Sequence, residues 1–187
     1  MTAAHGSGLS DRWFTPPRVI DMVRAFIGEI DLDPCSEEQA NQIVRATRYY
    51  TAEDDGLNLT NAWYGRVFVN PPGGTARLTQ KFWERLASEY DAGNVQAAAF
   101  LSFSLDTLQT CQSRSDGGIS WFPTFIFDKR FTYYQPSELG PVESKAAMRP
   151  SCLTVLPQRG SDIASVARLL KRYTEQRIGG VWVMNVP

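Results

Sequence analysis

Residues 66–74, Arg-Val-Phe-Val-Asn-Pro-Pro-Gly-Gly, decide the fold that the sequence predicts. The β-branched and aromatic run indicates a buried strand, and Asn70-Pro71-Pro72 ends it abruptly. Proline has no backbone N–H and a fixed φ, so two in succession display the preceding carbonyls and the Asn70 side-chain oxygen without a competing amide nearby. The stretch therefore predicts a strand whose tip carries hydrogen-bond acceptors.

Apolar runs and stretches with helical spacing alternate on both sides of this strand. Such alternation is typical of an α/β fold, here a mostly parallel sheet with helices on both faces. The first predicted helix is capped by Thr15, has Pro16 and Pro17 in its first turn and ends at Gly28. Further helices are predicted over Glu37–Ala46, Lys81–Asp91, Leu105–Gln112 and Ser161–Arg177. The predicted strands are Glu29–Asp33, Arg48–Thr51, Arg66–Val69, Ala97–Leu101, Phe122–Tyr134 with an interruption at Asp128–Arg130, Ser151–Leu156 and Val181–Met184, and residues 135–150 predict a long loop.

Length and composition limit the class of protein. A chain of 187 residues fits one domain, which we predict over residues 13–187 after a flexible Gly/Ser-rich arm at 1–12. With 43% hydrophobic and 21% charged residues, the chain is not of the disordered or coiled-coil class. Because 19 basic residues face 20 acidic ones, any contact with nucleic acid must come from a local patch.

Several kinds of chemistry are excluded by the residues that are scarce. The one histidine, His5, lies in the arm, which argues against Ser-His-Asp, Cys-His and His-metal sites, and we predict no metal. Three cysteines without paired spacing fit a reducing compartment. No leader and no run of about 18 apolar residues is evident, so we expect neither secretion nor membrane spanning.

A second predicted strand tip, Leu32-Asp33-Pro34-Cys35-Ser36, resembles the first. Ligands of open α/β sheets lie beyond the carboxyl ends of strands, and the Asp33 carboxylate could accept hydrogen bonds from ammonium or hydroxyl groups of a small cofactor. The acceptors at Asn70 suit an exocyclic amine, because hydrogen bonds from its N–H groups to fixed oxygens favour the nucleophilic, pyramidal form. The alternative interpretation is that both tips are ordinary strand-ending turns.

Taken together, four motifs resemble the phage-type DNA N-6-adenine methyltransferases, the Dam-like family of bacteriophages and prophages. The motifs are Trp13-Phe14-Thr15-Pro16, Leu32-Asp33-Pro34-Cys35-Ser36, Asp55-Gly56-Leu57 followed by Trp63, and Val67-Phe68-Val69-Asn70-Pro71-Pro72, and the resemblance covers roughly residues 12–135. It implies a Rossmann-like fold, S-adenosylmethionine (SAM) as cofactor, double-stranded DNA as partner, and the cytoplasm of a bacterial host as location.

The resemblance also implies roles for individual residues. Asn70, Pro71 and Pro72 match the catalytic Asp/Asn-Pro-Pro-aromatic motif. The methionine and ribose part of SAM would be held by Trp13, Thr15 and Pro16 together with Asp33, Pro34, Cys35 and Ser36, and Asp55 would meet the adenine amine of the cofactor. The target adenine would leave the duplex stack to enter this site.

Gly73 stands where the family motif has a Tyr or Phe that stacks on the flipped base. We therefore expect another aromatic residue to stack there, Trp83 or Phe82 first and Phe131 or Tyr133 second, with Arg130 beside them. Alternatively, Gly73 and Gly74 leave backbone amides free to contact a phosphate. The basic residues Arg114, Lys129, Arg130, Lys145 and Arg149 form either a phosphate-contacting rim or an ordinary solvated surface.

Three functions remain open at this point. The leading hypothesis is SAM-dependent methylation of adenine N6 in DNA. Asn-Pro-Pro motifs also serve methylation of cytosine N4, RNA bases and protein amides, so the acceptor could differ. The third hypothesis is a non-catalytic relative that binds SAM or DNA.

Overall fold

Helices and strands alternate along the chain, in a computed structural model that describes residues 12–104, 106–112, 118–147, 150–161, 163–175 and 180–183. The helices are α1 Pro17–Ile27, α2 Glu38–Val44, α3 Ala76–Asp91, α4 Asp106–Thr110 and α5 Ile163–Glu175, with a short 3₁₀ helix at Ile119–Trp121. The strands are β1 Leu32–Asp33, β2 Arg48–Tyr49, β3 Gly65–Val69, β4 Val95–Ser102, β5 Thr124–Phe127, β6 Thr132–Gln135, β7 Val142–Ala147, β8 Cys152–Leu156 and β9 Gly180–Val183.

The main sheet has seven strands in the order β2-β1-β3-β4-β8-β5-β9. Neighbours from β2 to β4 are parallel, whereas β8 is antiparallel to both β4 and β5, and β9 is antiparallel to β5. Strands β1 to β5 therefore run in one direction and β8 and β9 in the other. This confirms a mostly parallel sheet, although half of its contacts between neighbours are antiparallel.

Helices cover both faces of the sheet, as the sequence predicts. On one face α1 buries Val19, Ile20 and Val23 against Phe68 of β3 and the alternate residues of β4. On the opposite face α3 buries Phe82, Trp83 and Leu86 against Val67 and Val69 of β3. Successive strand residues point to opposite faces, so β3, with Val67, Phe68 and Val69 all buried, supplies both cores.

Several predicted elements differ from the observed ones. Thr15 is not the N-cap of α1: the helix begins at Pro17 after Pro16, whose side chain makes no capping hydrogen bond. Helix α3 begins five residues before the predicted start, because the Thr75 hydroxyl accepts from the Leu78 amide and caps it. The Phe122–Tyr134 stretch is divided between two sheets, with β5 in the main sheet and β6 in a two-stranded one.

The predicted loop at 135–150 contains a strand. Strand β7 pairs antiparallel with β6, in a register that places Gln135 opposite Val142 and Thr132 opposite Ala147. A backbone bridge between Phe14 and Tyr134, with N···O distances of 2.8 and 3.0 Å, connects this small sheet to the segment before α1. The buried Tyr133 of β6 also connects it to the main core, and its hydroxyl hydrogen-bonds to the Ser151 hydroxyl at 2.9 Å. The predicted arm at 1–12 falls, apart from Arg12, outside the described residues, as do Arg114 and Arg149.

Candidate active site

The tips of β1 and β3 lie side by side. The two strands are parallel neighbours, with Leu32 opposite Val67, so Asp33 and Asn70 emerge at the same edge of the sheet. From β1 the chain continues into α2, whose Val44 packs on one face, and from β3 into α3 on the other. Chain segments that diverge in this way leave a crevice beyond the strand ends, which is where α/β sheets bind ligands.

The Asn70 side chain is held by the segment that precedes α1. Its amide nitrogen donates to the Thr15 hydroxyl at 3.0 Å and, at 3.5 Å, to the Trp13 carbonyl. Thr15 is buried, with 2% of its surface exposed. Because a carbonyl can only accept, these contacts fix which end of the amide carries the nitrogen and aim its oxygen away from Thr15.

The Asn70 side-chain oxygen is buried and has no hydrogen-bond partner among the described residues. The next two residues are Pro71, which is buried, and Pro72, which is exposed, and neither has an N–H to donate. Leaving a buried acceptor without a donor costs about 1–3 kcal/mol. The oxygen therefore marks a place where a ligand with an N–H group would be stabilised.

Asp33 is a buried carboxylate without a cationic partner in the described part of the chain, and 2% of its surface is exposed. Burial raises the pKa of Asp33 to about 7, although the Cys35 amide, which donates to its Oδ1 at 3.1 Å, acts in the opposite direction. The Ser36 hydroxyl lies close enough to lower this pKa as well, but it makes no hydrogen bond of good geometry. A positively charged ligand would favour the ionised form.

Cys35 connects the two strand tips. Its thiol donates to the Asn70 carbonyl at 3.2 Å. Burial, with a further contribution from the neighbouring Asp33 charge, raises the pKa of the Cys35 thiol well above its ordinary value. The thiol therefore stays protonated at neutral pH and acts as a hydrogen-bond donor rather than as a nucleophile.

The turn that carries Asp55 packs directly on the tip of β1. A Cβ atom added to Gly56 would lie 1.8 Å from the Pro34 carbonyl oxygen, so only glycine allows this approach. The Trp63 indole nitrogen donates to the Gly56 carbonyl at 2.9 Å and holds the turn in place. Asp55 is exposed next to this contact, and the structure thus brings it to the same end of the crevice as Asp33.

The segment before α1 closes the crevice from the side. Trp13 is half-buried and Pro16 is buried, and the bridge from Phe14 to Tyr134 fixes the segment between them. Arg12 forms an ion pair with Glu37, just after the β1 tip. Of the predicted cofactor residues, Trp13 and Thr15 therefore contact the Asn70 side chain and Cys35 contacts its carbonyl. The turn that carries Asp55 lies against the β1 tip through Gly56 and Pro34.

Comparison with known protein families identifies the family of the chain. A family model described as DNA N-6-adenine-methyltransferase (Dam) matches residues 5–123. The chain belongs to this family. The Dam match spans the crevice residues from Trp13 to Pro72 and ends before β5. A search of curated proteins finds no match to the chain.

The Dam family is named for methylation of adenine N6 in DNA, and the burial of the predicted base-stacking residues shows whether they are accessible to such a base. Phe82 stacks on Trp63 with ring centroids 6.3 Å apart, and Trp83 meets Phe100 edge-on at 5.4 Å. Both lie in the core beneath α3, with 5% and 0% of their surface exposed. Their burial corrects the expectation that they stack on a base.

Phe131 and Tyr133 are also core residues, exposed by 3% and 0%. Phe131 contacts Phe127 and Tyr133, so its ring has no free face for a base either. Gly73, Gly74 and Arg130 are exposed, as a role at the DNA surface requires.

Sequence reasoning missed two contributions to this site. The hydrogen bond from Asn70 to Thr15 has no sequence signal, because 55 residues separate the partners. The backbone bridge between Phe14 and Tyr134 involves no side-chain chemistry that a motif could reveal.

Two further properties concern the described ranges only. They contain no group of His, Cys, Asp and Glu side chains that could hold a metal ion. None of the helices in these ranges combines the length and apolar character that crossing a membrane requires.

Proposed function

We propose that the protein transfers a methyl group from SAM to the N6 amine of adenine in double-stranded DNA, at Asn70-Pro71-Pro72. We place the reaction in one methyltransferase domain of Rossmann-like topology over residues 13–187. The observation that carries the proposal is the buried Asn70 side-chain oxygen, which lacks a donor and is held in place by Thr15 and Trp13. Membership of the Dam family supports adenine N6 as the acceptor.

The residues around the crevice fit SAM. The cofactor carries an ammonium, a sulfonium and hydroxyl donors. The crevice offers the Asp33 carboxylate, which has no cationic partner in the described part of the chain, together with the exposed Asp55. In this proposal Asp33, Pro34, Cys35 and Ser36 hold the methionine and ribose part with Trp13, Thr15 and Pro16, and Asp55 meets the adenine amine. When bound, SAM supplies a methyl group attached to a positively charged sulfur, and this sulfur is a good leaving group.

Asn70 prepares the acceptor amine. The amine's lone pair is delocalised into the adenine ring, and a hydrogen bond from one N–H to the Asn70 oxygen shifts it toward the pyramidal, nucleophilic form. The Pro71 carbonyl is the acceptor we assign to the second N–H, since Pro72 cannot offer a competing amide. Asn70 is not a base, so the proton that the amine loses on forming the N–C bond passes to water.

The target base has to leave the duplex to reach the crevice. Extruding a base costs a few kcal/mol, which stacking and hydrogen bonds in a pocket normally offset. Gly73 is exposed, and the aromatic rings expected to replace the Tyr or Phe of the family motif are buried. We therefore propose that the Asn70 hydrogen bonds and contacts with the DNA backbone offset the free energy of extruding the base.

The test is to incubate the protein with radiolabelled SAM and unmethylated duplex DNA, digest the DNA to nucleosides and identify the labelled one. Label in N6-methyladenine supports the proposal. Label in another base, in RNA or in protein would assign a different acceptor, and bound but untransferred SAM would indicate a non-catalytic relative.

Asn70→Ala is the decisive variant. We expect it to lower kcat by at least about 100-fold, the size of effect seen when an electrostatic contact to the reacting group is removed. SAM affinity measured by calorimetry should be retained, because the Asn70 oxygen is assigned to the acceptor amine. Asn94→Ala is the matched control, since Asn94 precedes β4 at the opposite edge of the sheet and its side chain hydrogen-bonds, among the described residues, to Glu89. Equal rates in the two variants would remove Asn70 from the chemistry.

A further inference from the structure

Exposed charges divide the carboxyl edge of the sheet into two halves. Around the ends of β1 and β2 the exposed charged residues beyond the strands are acidic: Glu38, Glu53, Asp54 and Asp55. Around the ends of β4 and β5 and the adjoining starts of α1 and α3 they are mostly basic: Arg18, Arg77, Lys81, Lys129 and Arg130. Asn70 lies at the boundary, because β3 stands between β1 and β4.

Two of the cations lie on α3, just after the Asn70-Pro71-Pro72 tip. Arg77 and Lys81 are one helical turn apart, so they project from the same face. They line a groove of about 510 Å³ between α3 and α4, together with Gln80, Glu84 and Thr110. The one carboxylate in the groove, Glu84, accepts from Gln80 at 2.9 Å, and neither cation forms an ion pair with a described residue.

The other cations lie across the sheet edge, on the face covered by α1. Lys129 and Arg130 follow β5, which runs in the same direction as β3 and so ends at the same edge. Arg18 belongs to the first turn of α1, three residues after the Thr15 that binds Asn70, and its guanidinium lies 5.7 Å from the centre of the Phe131 ring. Cations therefore flank the Asn70 tip on both sides.

This half of the edge is basic in a chain that is slightly acidic. The exposed acids there are Asp21, Asp106 and Asp128, so five cations face three described acids, whereas the whole chain has a net charge of −1. A local excess of unpaired cations is what a polyanion requires from a protein without an overall basic field.

We propose that the basic half of the edge binds the phosphate backbone of DNA, with Arg77 and Lys81 on one side of the extruded base and Lys129 and Arg130 on the other. The acidic half is then left to the positively charged cofactor. This assignment rests on the proposed function, because it places the backbone relative to the base that Asn70 receives. It also explains how a chain without net positive charge could hold a duplex.

The test compares three double variants in binding to a fluorescent unmethylated duplex at a series of salt concentrations. Arg77→Gln/Lys81→Gln and Lys129→Gln/Arg130→Gln each remove two proposed phosphate contacts. We expect each to reduce the slope of log K against log salt by about 2 and to weaken binding equally for any DNA sequence. The control, Arg45→Gln/Arg159→Gln, removes the same charge at the opposite edge and should leave the slope unchanged.

SAM affinity and thermal unfolding are measured on the same proteins. These measurements show whether weaker DNA binding in a variant results from unfolding or from loss of cofactor binding. Slopes equal to those of the control would overturn the proposed surface, even if the wild type produces N6-methyladenine. Reduced slopes in a wild type that methylates no adenine would leave the surface standing and reject the proposed function. The two proposals can therefore fail separately.

Discussion

At the scale of single residues, the Thr15 hydroxyl decides which way the Asn70 amide faces. An aspartate at position 70 would have two equivalent oxygens, whereas an asparagine has one and must be oriented. Thr15 does this from 55 positions away in the chain, at 3.0 Å. Thr15 therefore contributes to the site through this hydrogen bond and does not cap α1.

Thr15→Val removes the hydroxyl and keeps the shape of the side chain. Asn70 is then left with the longer contact to the Trp13 carbonyl, so we expect kcat to fall about tenfold, equivalent to about 1.4 kcal/mol. The rate is measured at saturating SAM, so that the proposed contact of Thr15 with the cofactor does not enter the result. Thr15→Ser should restore the rate. A weaker affinity for SAM without a change in kcat would instead make Thr15 a cofactor-binding residue only.

At the scale of elements, the Asp55 turn and the β1 tip form one unit through Gly56. Gly56→Ala forces the new Cβ against the backbone of Pro34, which cannot move without displacing Asp33. We expect a loss of about 1–3 kcal/mol in the free energy of unfolding, measured in urea, and weaker binding of SAM.

Gly93→Ala is the control for this change. Its φ of +83° makes alanine strained, but the added Cβ meets nothing within 4 Å. It should lower stability and leave SAM affinity intact. If Gly56→Ala binds SAM as tightly as Gly93→Ala, the turn plays no part in the cofactor site.

Local patterns predicted most elements because each has its own signal. The β-branched run of β3 and the apolar spacing of α1 are complete within the segments themselves. Strand β7 has no such pattern, since Val142–Ala147 is only partly apolar and owes its conformation to pairing with β6. The first turn of α3 was missed because Ala76 and Arg77 add no apolar periodicity, and its one signal is the Thr75 cap.

The same distinction holds for the site. Asn70 and Asp33 could be identified because each follows a strand and precedes a proline, which are local features. The contacts that complete the site, from Thr15 to Asn70 and from Phe14 to Tyr134, depend on how distant segments pack. The burial of Phe82 and Trp83 could not be separated from a binding role by sequence, because aromatic residues serve both.

At the scale of the whole molecule, Asp33 links folding to pH. Its pKa is about 7 in the folded chain and near 3.8 when unfolded, so the folded state binds the proton more tightly. The stabilisation from protonated Asp33 is full below about pH 4 and is lost as the pH rises through 7. Without cofactor, stability should therefore decline across this interval, by at most about 1.4 kcal/mol per pH unit.

Asp33→Asn should remove this decline, since asparagine carries no charge to bury. We expect the variant to be more stable than the wild type at pH 8 and close to it at pH 4, in urea denaturation without SAM. Binding of a cationic cofactor to the wild type should tighten as the pH rises toward 7, and that dependence should vanish in the variant. Parallel stability curves for the two proteins would show that Asp33 ionises freely.

The junction between Asn70 and Pro71 also bears on chemical ageing. Asparagine slowly deamidates when the backbone nitrogen of the next residue attacks its side-chain carbonyl and closes a cyclic imide. That nitrogen belongs here to Pro71, which has no hydrogen to lose, so the ring cannot form by this route. The same proline that leaves the Asn70 oxygen without a competing donor therefore closes the imide route of deamidation, and so protects a side chain that has one acceptor and one donor end.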